Sequence, residues 1–189
     1  MKSFNFDWQE VLDLTFRIYV FVFLTTYALG KLTGGQFYTP ETIPDEVAQL
    51  TLANANNFEL GWTFMGRSYG YILFIGISQL IGSTMLLFRK TKLIGAAILV
   101  PIQVNIIVFD IFFLDNNGSL ASACIYFSML MGLFLLNKTQ IENAIKSLLI
   151  MGTSSKSLSK KGLIRLGLSL LLFGIIFFFD QLIVNALGH

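Results

Sequence analysis

Apolar residues along this chain fall into five long blocks, roughly Leu14 to Leu32, Tyr69 to Phe88, Leu93 to Leu114, Leu120 to Leu136 and Leu163 to Leu187. Each is about 20 residues long, the length at which a helix rising 1.5 Å per residue crosses a hydrocarbon layer about 30 Å thick. Between them lie a long polar segment, residues 33–68, the tight turn Arg89-Lys90-Thr91-Lys92, the turn Asp115-Asn116-Asn117-Gly118, and a Lys/Ser-rich stretch over 137–162. Turns as short as the second and third join antiparallel neighbours. The pattern predicts an all-α, polytopic membrane helical bundle: a four-helix core over 14–136 and a fifth transmembrane helix over 163–189. Residues 33–68 are expected to form an ordered outer cap, held by Phe37, Tyr38, Phe58, Trp62 and Phe64, with Trp62 and Tyr69 at the outer headgroups.

Two flanking stretches carry apolar residues on one helical face only. Trp8, Val11 and Leu12 stand opposite Asp7, Glu10 and Asp13, which predicts a cytoplasmic interfacial helix over 1–13. Ile141, Ile145, Leu148 and Leu149 stand opposite Glu142, Asn143 and Lys146. That face fits a membrane surface and the protein's own helices equally well. The Ser/Lys run Thr153 to Lys161 completes an amphipathic and basic cytoplasmic linker over 137–162.

Composition agrees with lipid as the solvent. Hydrophobic residues make up 54% of the 189 positions and charged ones 13%, with a mean hydropathy of +0.70, more apolar surface than one soluble core hides. The net charge of +2 matters less than its distribution. An internal amino terminus places 11 of the 13 Lys and Arg residues on the cytoplasmic side and leaves only Lys31 and Arg67 outside, as the positive-inside rule requires. Five spans then put the carboxyl terminus and His189 outside. A cleaved signal peptide is the rival reading of the first block, since Ala28-Leu29-Gly30 has suitable small residues, but three acids before the apolar run argue against it.

Several stretches together resemble the DoxX-like bacterial membrane proteins. They are Arg17 with Tyr27-Ala28-Leu29-Gly30-Lys31-Leu32 and Gly35-Gln36-Phe37, then Leu60-Gly61-Trp62-Thr63-Phe64-Met65-Gly66. Phe74-Ile75-Gly76-Ile77-Ser78-Gln79-Leu80-Ile81-Gly82, Leu86-Leu87-Phe88-Arg89-Lys90-Thr91 and Pro101 to Asp110 continue the series. The resemblance covers about residues 14 to 136 and implies a compact four-helix bundle. It implies less about activity, because some relatives are linked to thiosulfate or quinone oxidoreduction or to membrane-bound oxidoreductase complexes, while many have no assigned function. At one point the chain departs from it: many relatives carry Glu where Gln79 stands, and an amide holds no charge and exchanges no proton near neutral pH.

Catalytic chemistry finds little material. One His at the last position and one Cys, Cys124, read as a small packing residue in an apolar block, make no metal or haem site. There is no phosphate-binding glycine loop and no nucleophile elbow, and the basic residues are explained by topology rather than nucleic acid. These absences lean against an enzyme and against a resident cofactor, with quinone the one exception left open.

Polar residues inside the spans say more, because hydrocarbon penalises them unless they meet a partner or a cavity. Gln79, Gln103 and Asn105 fall near mid-depth, and Asp110 and Asp180 nearer the outer ends. Gln103 and Asp110, seven apart, share one face of the third span. Interhelical hydrogen bonding is the plain explanation for the amides, and pairing with Arg67 or headgroup exposure for the aspartates. A ligand pocket bordered by Gln79, Gln103, Asn105 and Asp110 and open from the outer half is the alternative. Arg17 reads as a snorkelling anchor, and Gly76, Gly82 and Gly95 as points of close helix approach. Three functions fit: an accessory, non-catalytic subunit partnered by lipid and other membrane or envelope proteins; a quinone- or lipophile-binding component of an oxidoreductase; or a small-molecule transporter.

Overall fold

A computed structural model describes residues 7–114, 117–149 and 160–187. The described residues contain helices and no strand: α1 (Trp8–Leu32), α2 (Asp45–Ala48), α3 (Asn57–Gly66), α4 (Tyr69–Leu86), α5 (Lys92–Phe113), α6 (Asn117–Leu136), α7 (Lys138–Leu148) and α8 (Lys160–Leu187). The protein is an all-α membrane bundle, in which α1, α4, α5 and α6 are each long and apolar enough to cross a bilayer. The chain divides into two compact units, one up to Asn143 and one from Ala144. The second contains α8, which covers the fifth apolar block. The run 150–159, residues 1–6, Asp115, Asn116, Gly188 and His189 lie outside the described residues, and with them most of the Thr153 to Lys161 run and about half of the amino-terminal segment.

Helix starts are written locally. The Asp7 carboxylate accepts from the Gln9 N–H at 2.9 Å and begins α1, Asn56 and Glu59 close a reciprocal capping box on α3, and Ser68 caps α4. Each satisfies backbone donors that a first turn leaves without partners. Because nothing interrupts the ladder after Asp7, Trp8 to Asp13 form the first turns of α1 rather than a separate interfacial helix.

The four long helices form a ring in which α1 packs on α4, α4 on α5, α5 on α6 and α6 back on α1. Val20 and Leu24 of α1, Leu86 of α4, Ala96 and Leu99 of α5, and Tyr126, Leu130 and Leu133 of α6 fill one core at the end of the bundle nearer the 87–91 turn. Small residues set the spacing there. A methyl group added to Gly95 would lie 2.6 Å from the Gly82 carbonyl oxygen, and one on Gly82 would lie 2.8 Å from the Leu99 side chain, so α4 and α5 approach where both lack a side chain. Cys124 is not part of this packing: it is exposed on α6, on the face turned away from the core.

Polar ties reinforce the same end. Asp13 is bonded by Arg17 one turn later at 3.3 Å, by Lys92 at the start of α5 at 2.6 Å and by Asn137 after α6 at 2.8 Å. The Arg17 guanidinium also donates to the carbonyls of Leu86 and Leu87 at the end of α4, groups a helix terminus leaves unpaired. Arg17 is therefore buried in a pairing cluster and does not snorkel, since carbonyls and a carboxylate within the bundle supply what headgroup water would otherwise provide.

The other end is covered by residues 33–68. Phe37, Met65 and Ile72 form a second core with Trp62, Ile75 and Phe109, and α3 packs on both α4 and α5. Gly66 is pressed against the Tyr38 backbone, leaving no room for a side chain, and Gly34 turns the chain with φ +77°. Trp62 packs against the cap's other aromatics, stacked on Phe58 at 4.4 Å and beside Phe37 at 5.5 Å.

Removing Asp13 takes the carboxylate from the buried Arg17 and the part-buried Lys92. Asp13→Ala is expected to destabilise the bundle by about 3 kcal/mol, the scale for breaking one side of a buried ion cluster. Glu10→Ala, whose 3.8 Å contact with Arg89 is solvent-exposed, should change stability by no more than about 0.5 kcal/mol. Equilibrium unfolding in detergent micelles checks the contrast, and equal losses would refute the hub.

Candidate functional site

Burial along α4 and α5 follows helical stripes, Ile72, Gly76, Gln79, Ser83 and Leu86 on one and Gly95, Ala96, Leu99, Gln103 and Asp110 on the other. The intramembrane amides Gln79 and Gln103 lie on these inward stripes, 0% and 1% exposed. Both line a cavity of about 590 Å³ enclosed by α1, α4, α5, α6 and the cap, a size ordinary for small-molecule sites. Below it Thr25 and Ser83 share a hydrogen bond of 2.9 Å, and the glycine-packed core closes that end.

All four residues expected at a pocket, Gln79, Gln103, Asn105 and Asp110, lie in this lining. Gln103 Nε2 donates to the Ala123 carbonyl of α6 at 3.1 Å, which fits the reading as interhelical glue, yet its Oε1 is buried with no partner. Asp110 pairs not with Arg67, which is exposed, but with the Ser119 hydroxyl at 3.1 Å. Asn105 differs from the other three in being exposed.

Lys31 is the residue whose surroundings charge counting does not reveal. Assigned by pattern to the outer side, it is 5% exposed within the last turn of α1 and lines the cavity. Its ammonium donates to Gln79 Oε1 at 3.2 Å and lies 5.9 Å from the Tyr27 ring centroid, within reach of a cation–π attraction. Gln79 Nε2 and Gln36 Oε1 are buried without partners. Three amides bordering one cavity therefore each retain an unused donor or acceptor, and such a group costs about 1–3 kcal/mol when left unpaired. In the sequence Gln36 stands out only within the Gly35-Gln36-Phe37 stretch of the family resemblance; nothing in its spacing marks it as a lining residue.

Aromatic side chains form much of the remaining wall, with Trp62 6.2 Å from Phe109 and Tyr27 6.3 Å from Tyr126. Tyr71 and Phe74 on α4 and Pro101 and Asn105 on α5 border the cavity and are also exposed on the bundle's outside. The cavity thus opens sideways between α4 and α5. Pro101 lacks the N–H that would bond the carbonyl one turn back, so the ladder of α5 is interrupted beside this opening. Among the described residues no three His, Cys, Asp or Glu side chains converge on a point where a metal would sit. The polar groups on offer are amides, hydroxyls, one ammonium and one carboxylate.

No protein-family model matches the chain, and no solved structure matches it. Over 123 residues, 62% of this chain and 75% of the relative, it is 34% identical to the Uncharacterized protein YwoB of Bacillus subtilis (strain 168). The chain belongs to the family of that protein.

The site's electrostatics order three variants. Gln79→Leu removes the acceptor of a buried ammonium and should cost about 2 kcal/mol, whereas adding Lys31→Met should recover most of the loss. Gln103→Leu exchanges one bond for the removal of an unpaired acceptor and should fall within about 1 kcal/mol of the parent protein. Thermal unfolding in ligand-free micelles checks the order, and an unrescued double variant would sink the account of Lys31.

Proposed function

We propose that this chain is a DoxX-like protein of the bacterial cytoplasmic membrane that holds a lipophile with an oxygenated head in its cap-covered cavity, as an accessory component of a membrane or envelope complex. The observation that carries this reading is the convergence of Gln36, Gln79 and Gln103, each with an unused polar atom, on a cavity that opens between two apolar helices. Hydrocarbon selects against uncompensated polar groups, and a bound head that accepts and donates hydrogen bonds would compensate them. A quinone would answer the unused Gln79 N–H, and its quinol form would also donate to the Gln36 and Gln103 oxygens, with the ring against the aromatic wall. The sideways opening suits a ligand dissolved in the bilayer, and no bond-making step is assigned to the chain.

The test is retention. Purified in mild detergent, the parent protein should carry a lipophile that organic extraction releases and mass spectrometry identifies. Gln103→Leu combined with Asn105→Leu should lose it while the bundle stays folded, because leucine keeps the helix apolar but removes the amide groups. A variant that keeps the ligand at parent affinity and loses only thermal stability would reduce the amides to glue. Co-purification with redox proteins would favour an oxidoreductase complex, and with other envelope proteins a structural one.

Orientation follows the positive-inside rule: the amino terminus, residues 89–92 and residues 137–162 are cytoplasmic, and the cap and the end of α8 external, α8 being the fifth span. In a Cys124→Ala background, a cysteine introduced at Glu41 should react with an impermeant maleimide in intact cells and one at Lys90 only after permeabilisation. The reverse pattern would overturn the topology.

A further inference from the structure

The cavity contains one residue of each charge, and they are kept apart. Lys31 enters from the end of α1 and Asp110 from α5, each 5% exposed and each in the lining. They do not form a contact ion pair, since Lys31 is held by the Gln79 amide oxygen and Asp110 by the Ser119 hydroxyl. Their attraction acts at longer range. Two opposite charges in lipid would be expected to collapse onto one another; here each is held instead by a neutral partner, the Gln79 amide for Lys31 and the Ser119 hydroxyl for Asp110.

We propose that this separated pair selects a neutral head group: a lipophile bearing both an acceptor oxygen, for the Lys31 ammonium and Gln79 Nε2, and a hydroxyl donor, for Gln103 Oε1. The inference rests on the lipophile-binding reading and deepens it. The charges of Lys31 and Asp110 sum to zero. A carboxylate head would bring a second negative charge into a site whose only cation already answers Asp110, and an ammonium head would do the reverse. Either leaves an uncompensated charge where the surroundings are least able to screen it. A neutral head leaves the balance intact. The polar inventory narrows the class further, because Nε2 of Gln79 is an unused donor while Oε1 of Gln103 and of Gln36 are unused acceptors. A ligand with carbonyls only would leave the acceptors unanswered. A monoacylglycerol or a quinol, with hydroxyl and acceptor oxygen together, answers both kinds.

Selectivity among three probes sharing one brominated acyl chain tests this. The heads are glycerol ester, carboxylate and primary amine, and the reporter is quenching of Trp62, which lines the cavity, in a Trp8→Phe background that leaves it as the only tryptophan. The parent protein should bind the glycerol ester roughly tenfold or more tighter than either charged probe, a difference of about 1.4 kcal/mol per tenfold. Asp110→Asn should shift preference toward the carboxylate and Lys31→Gln toward the amine. The double variant should return it to the neutral ester. Equal binding of all three probes, or single variants with unchanged order, would overturn charge selection while leaving lipophile binding standing. No quenching by any probe in the folded parent protein would overturn both.

Discussion

Asp13 stands where four helices meet, and its bonds explain why they meet at all. Lipid tails are as apolar as leucine, so nothing like the hydrophobic effect presses one spanning helix against another. Association has to come from close packing and from polar contacts that hydrocarbon makes costly to forgo. Asp13 supplies the second through Lys92 of α5 and Asn137 beyond α6, while its neighbour Arg17 takes the final carbonyls of α4. The Gly82–Gly95 contact supplies the first. Both act at the same end of the bundle. Fixing the helices there lets a space open at the other end, where α3 and the 33–68 segment cover the top and the cavity occupies the interior.

The site follows from that asymmetry. Stripes of buried residues on α4 and α5 continue from the tightly packed end into the open one, and where leucine and glycine give way to Gln79 and Gln103 the wall becomes polar. In a bundle packed alike along its whole length these amides would bond across helices and be finished. Gln103 does so with one of its two polar atoms, through Ala123, and keeps the other unused. The structural and the ligand-binding readings of this residue are thus not exclusive, because an amide has a donor and an acceptor to give to different partners.

The helices were legible because lipid imposes length and apolarity on each separately, and the amides because a polar residue on an otherwise apolar helix stands out. The contacts between distant positions were not. Asp13 and Lys92 are separated by 79 positions and Asp13 and Asn137 by 124, and a carboxylate before an apolar run reads as a surface residue until the helices are brought together. The burial of Lys31 was hidden for a related reason: counting charges by side of the membrane assigns a cation at a span's end to one face, and does not reveal whether it is buried there. Cys124 erred in the opposite direction, since an apolar block does not reveal which of its faces meets lipid.

Gln79 shows why residue type at one position governs the chemistry of the whole cavity. A carboxylate there would take the Lys31 ammonium as a contact partner at the distance the amide oxygen now occupies, and the lysine's charge would be spent locally. Asp110 would then remain with only the Ser119 hydroxyl, and the site would carry an excess negative charge into lipid, a condition relieved only by a proton or a cationic ligand. The amide avoids this. It accepts from Lys31 without neutralising it, leaves the positive charge to answer Asp110 across the open space, and retains an N–H for whatever enters. A position that would serve proton exchange as Glu therefore serves, as Gln, to keep the cavity electrically balanced, as the proposed neutral head requires.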